Sequence, residues 1–187
     1  VVTSLSDITE KLGDILISTT EEETTTVSIN KMALACYLAL SSAPGIPIYY
    51  VAIKETGTDG ADFVAAMEFL ERFPKIYSIV PVVDTLKNTA AVVTDKLKAC
   101  ITKAVTESEN VESKIRRTIW CGIETGAGGT TALKTAATKA AKEAIIAAGA
   151  NGAYRAQVVW SPGALYAGYA VPAECLAAAP AGMRAYE

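Results

Sequence analysis

Histidine is absent from the 187 residues, and with it goes the side chain most often used as a general base and as a metal ligand near neutral pH. Many familiar enzyme mechanisms are excluded at once. Paired cysteine motifs are missing too. Cys36, Cys100, Cys121 and Cys175 lie far apart, form no C-x-x-C, and each sits inside an apolar run. They read as buried free thiols of a reducing compartment, neither a disulfide framework nor a metal site. A cationic surplus is lacking: 17 basic against 20 acidic residues leave a formal charge of -3, so nothing draws in a phosphate backbone and nucleic acid is not an expected partner.

Long hydrophobic runs are also missing. The most apolar early stretch, Met32 to Ile53, is broken by Ser41, Ser42, Pro44, Gly45 and Pro47, short of the ~20 uninterrupted residues a membrane helix requires. The opening residues are not expected to be a signal peptide. It begins at Val1 without a Met, which is expected of a fragment or a processed product.

What is present is a chain that is 51% hydrophobic and, at 187 residues, long enough for one domain that buries about two thirds of its unfolded surface. Ser4 to Leu16 predicts a short helix with Ser4 or Ser6 as N-cap and Leu5, Ile8 and Leu12 on one face. The polar, acidic run Thr19 to Thr26 predicts an exposed loop. Asn30 caps a second helix, Lys31 to Leu40, whose apolar residues nearly surround it, as in an element buried between others. Residues 1–44 thus form a helical lead-in.

From residue 45 to 187 the pattern alternates. Strands are expected at Ile48–Ile53, Ile76–Val83, Ile115–Ile123 and Arg155–Trp160, and helices at Ala61–Phe73, Thr89–Thr106, Thr130–Gly149 and Val171–Ala185. The helices carry 3.6-period stripes such as Phe63, Ala66, Met67 and Leu70, or Val93, Leu97, Cys100 and Ala104, with Glu68, Glu71 and Arg72 on an opposite face. The strands are near-continuous apolar runs, as in sheets covered on both faces. The expected fold is therefore a single α/β domain with a doubly wound, mainly parallel sheet of four or more strands flanked by helices. Pro81 belongs at a strand end. Small residues in the last two helices favour a tight layer or a close subunit contact.

Candidate chemistry is sparse. Gly126, Gly128 and Gly129 follow a strand and precede a helix, where backbone N–H groups can cradle phosphate. No Lys completes a Walker loop, and Thr131 stands where a dinucleotide fingerprint needs its third Gly; an ordinary βα loop explains them. Asp84 and Glu124 fall at carboxyl ends of strands, where open parallel sheets hold ligands. They could bind a divalent cation or share a proton in a phosphate- or metal-dependent enzyme, or simply cap turns. Arg116 and Arg117 open the third strand and either pair with acidic side chains within or between subunits or form a solvated strand start. Trp120, Trp160, Tyr49 and Tyr50 read as core.

Four stretches in order carry a family likeness: SDITEKLGD with NKMALACYLALSSAPGIPIYYVAI; ADFVAAMEFLERFPKIYSIVPVVDT; ESKIRRTIWCGI; and YRAQVVWSPGALYAGYAVPAECLAAAPAGMRA. Together they resemble the contractile tail sheath proteins of bacteriophages. The resemblance implies a structural subunit of the virion tail, assembled in the host cytoplasm. Copies stack in six-membered, helically arranged rings around a tail tube above a baseplate, then contract to drive the tube through the host envelope. It implies no catalytic residue, cofactor, metal or membrane insertion. Sheath proteins continue past the Ala-Gly helix and carry terminal arms, so this chain is expected to be a core that is monomeric by itself.

Overall fold

In a computed structural model, residues 1–54, 56, 60–73, 75–82, 95–109, 117–123, 143, 147, 155–160 and 164–186 are described. Helix α1, Leu5–Leu12, starts where Ser4 accepts the Asp7 amide and Asp7 reaches back in a capping box. It stops four residues before the predicted end because Gly13 takes φ +82, a conformation side chains resist. The chain then enters β1, Leu16–Glu21, which pairs antiparallel with β2, Thr24–Ile29, in six-residue register. The expected loop at Thr19–Thr26 is therefore a hairpin. β-branched threonines favour the extended ladder, and polarity marked exposure rather than irregularity.

Helix α2, Lys31–Ser42, begins as expected at Asn30, whose Oδ1 accepts the Ala33 amide at 3.2 Å while its Nδ2 donates to Leu12 O at 2.7 Å. Apolar all round, α2 serves two clusters. Ala33, Cys36 and Leu40 pack with Val2 and Ile8, while Leu34 and Ala35 pack with Val171, Cys175 and Ala178. The run Ile48–Ile53 is not a strand. Ile48 makes a single antiparallel bridge with Val2, and the segment is apolar because Ile48 and Tyr50 pack on one cluster and Ile53 on another. Side-chain burial alone accounts for the pattern that suggested a ladder.

Helix α3, Ala61–Leu70, leads to β3, Ser78–Ile79, then α4, Asp95–Glu109, β4, Thr118–Ile123, and β5, Ala156–Trp160. The parallel sheet has the order β3-β4-β5. The fold is thus mixed α/β with a three-stranded parallel sheet among the described residues. Pro81 follows the short β3, consistent with its missing donor. Phe63, Met67, Leu97, Cys100, Ile101, Ala104 and Ile119 form the largest core cluster, so the helix stripes face inward as their period requires.

A small hairpin, β6 Leu165–Tyr166 and β7 Tyr169–Ala170, precedes two helices, α5 Ala173–Leu176 and α6 Ala178–Tyr186. One helix was expected over Val171–Ala185. It breaks at Ala177 because Pro180 has no N–H for the Leu176 carbonyl and its ring crowds that carbonyl. Close approach is real at two glycines. A Cβ on Gly122 of β4 would overlap the Ala173 carbonyl, and one on Gly182 of α6 would stand 2.7 Å from Ala39 O of α2. The last helix therefore makes the tight layer within the chain.

Candidate functional site

The described residues concentrate charge where α3, α4 and β4 meet. Arg117 stands just before β4 and is fully buried. Its guanidinium donates to Met67 O at 3.2 Å, to Leu70 O at 2.6 Å and to Glu107 Oε2 at 3.2 Å. The carbonyls belong to the last turn of α3. There the ladder tightens, with Glu71 N–H on Glu68 O and Phe73 N–H on Leu70 O, so Met67 O takes a guanidinium N–H instead of an amide. A cation at a helix C-terminus is favoured by the exposed carbonyls.

Lys103, one turn before Glu107 on α4, lies 2.9 Å from Glu71, 3.3 Å from Glu68 and 3.9 Å from Glu107. Burial pushes the Glu107 carboxyl up to about 7, against the pull of Arg117 and Lys103. The hydrogen bond from Lys103 holds Glu71 below its ordinary value. Burial opposes the Lys103 charge, but Glu71 and Glu68 hold it above its usual range. Chemically the cluster is a fastening: it ties the end of α3, the body of α4 and the start of the central strand together.

Of the two readings of Arg117, the ion pair within the chain is the observed one. Glu107 and Lys103 were missed by sequence reasoning, although their i, i+4 spacing was visible; Glu68 and Glu71 were read only as a polar face. A second missed pair is Lys31 with the buried Glu174, 2.7 Å apart. It joins the start of α2 to the start of α5, and Cys175 Sγ donates to Lys31 O beside it at 3.3 Å.

Asp84, Arg116, Glu124, Gly126, Gly128 and Gly129 lie outside the described residues. Among those described, no group of three or more Cys, Asp or Glu is placed to hold a metal ion, and no helix is long and apolar enough to cross a membrane. All four cysteines are buried and free. Burial pushes the Cys36 thiol up to about 11 and those of Cys100 and Cys175 up to about 12, with Cys121 raised further. Tyr50 and Trp120 are half-buried, while Tyr49 is 42% exposed. The Trp160 side chain lies outside the description.

Comparison with known protein families, with curated proteins and with solved structures finds no match.

Proposed function

We propose that the chain is the folded core of a contractile phage tail sheath subunit. It polymerises with its own copies around the tail tube, and its work is mechanical. The observation that supports this reading is the order of the four resembling stretches, together with how the outer two pack. The Asn30-led helix α2 and the closing Ala-Gly helix α6 lie backbone to backbone at Ala39 and Gly182, and Lys31 at the start of α2 pairs with Glu174 at the start of α5.

Contraction of such a sheath requires an extended state whose subunit interfaces are exchanged for better ones while each domain moves as a rigid body. A core with pinned helix ends and interlocked small residues suits that demand, since the stored energy then lies between subunits. Host-cytoplasm assembly, six-fold rings, the tube and the baseplate enter as parts of the same proposal.

Electron microscopy of the intact sheath protein at high concentration tests it. Long hollow polysheaths are expected. Uniform monomers under every assembly condition would remove the reading.

A further inference from the structure

Resting on this self-assembly reading, we propose that the tip of the β1–β2 ribbon, Glu21–Glu23, docks on the aromatic face built by Tyr49, Phe69, Arg72 and Phe73 of a second copy of this chain. The ribbon supplies the first part of the case. Apart from its base at Leu16, Val27 and Ile29, both strands are exposed on both faces, and two strands without a third or a covering helix are marginal in water. The turn places three carboxylates in succession, with Glu22 at φ +44 and Glu23 at φ +71. None of the three makes an ion pair among the described residues.

The receiving face supplies the second. Phe69 is 47% exposed and Tyr49 42%. Their rings converge on Phe73, at centroid separations of 6.0 and 5.3 Å, and the Arg72 guanidinium lies 5.3 Å over Phe69. Exposed Lys75 follows two residues beyond Phe73. Neither cation is ion-paired among the described residues, whereas the neighbouring Glu68 and Glu71 are held by Lys103. Aromatic rings with an Arg among them are the composition that centres protein interfaces. Carboxylates on one surface and cations on another, neither ion-paired among the described residues, are therefore complementary.

The tip is solvent-exposed, and six ladder residues carry it about 20 Å from its base, where a second copy can reach it. Each copy offers one tip and one face. The contact is thus heterologous and can repeat into a ring or a helix. A ribbon tip covers well under the about 800 Å² per partner of a stable complex. One such contact is weak, and repetition along an assembly makes it count.

Cross-linking tests the contact directly. Glu22→Cys and Lys75→Cys chains are mixed and treated with a short bis-maleimide; the native thiols are buried, so the two introduced ones dominate the reaction. The mixed product is expected to exceed either self-product by about tenfold, and Arg72→Glu or 1 M salt should abolish the excess, since exposed charge pairs are screened. Products in statistical proportion, no product, or an excess indifferent to both changes would overturn the proposal. The sheath reading is judged separately: polysheaths forming unchanged from the intact protein with Glu21, Glu22 and Glu23 all replaced by Lys would discard this contact alone.

Discussion

Arg117 and Glu107 set the residue-scale behaviour. Removing one partner of a buried pair leaves an uncompensated charge, so Arg117→Ala should cost about 3–5 kcal/mol in urea unfolding, and Arg117→Met with Glu107→Leu should recover much of that loss. Glu107 also gives the protein a pH signature. Its folded-state value of about 7 lies above the ordinary 4.5, so the native state binds the extra proton between those limits. Stability from this group rises as pH falls from above 7 to below 4.5, and Glu107→Gln should flatten that limb. Asp7 and Glu71 act in the opposite sense. Thr3 and Lys11 hold Asp7 low, and Lys103 holds Glu71 low, so their contribution is present above the ordinary carboxylate range and is lost in more acid solution. A stability maximum on the acid side of neutrality is expected in a pH series of denaturation curves. Asn30 was legible from sequence because a capping side chain acts on its own next turn. Arg117 was not, because its partners lie 10 and about 50 residues away and only tertiary packing chooses between a buried and a solvated arginine.

At the scale of elements, close packing makes two substitutions severe. Gly122→Ala pushes a methyl into the backbone of α5, and Gly182→Ala crowds the Ala39 carbonyl. Losses of about 1–3 kcal/mol or more are expected from overpacking, with Gly122 the worse, measured by urea midpoints. The hairpin turn predicts the reverse. Glu23→Gly relieves a left-handed conformation that costs an ordinary residue about 1–2 kcal/mol, and should stabilise the ribbon, read as slower amide exchange in β1 and β2. Helix stripes were the most legible feature because a 3.6-residue period reports one buried face directly: Phe63 and Met67, then Leu97, Cys100 and Ala104, all lie in the core. Short apolar runs were not decisive. Ile48–Ile53 and Ile76–Val83 have the same texture, yet among their described residues only Ser78–Ile79 joins the parallel ladder, since burial and pairing leave the same mark on composition. Pro180 divided a helix that its alanines would have continued.

For the whole molecule, an α/β class with parallel pairing was readable from the alternation of elements, whereas the number of strands in the sheet depends on long-range pairing that periodicity does not encode. The candidate ligand residues Asp84 and Glu124 lie outside the described residues, and the proposed function rests on the order of the four resembling stretches and on the packing of α2 against α6. The proposed rigid displacement between copies makes a distinct demand on amide exchange. The decisive measurement is hydrogen exchange by mass spectrometry on the dilute chain and on the assembled sheath. Rigid-body work predicts unchanged protection in α2, β4 and α6, with gains confined to interface segments, foremost residues 16–29 and 69–77. Altered protection across the α2–α6 pair, or identical exchange everywhere because no assembly forms, would contradict it.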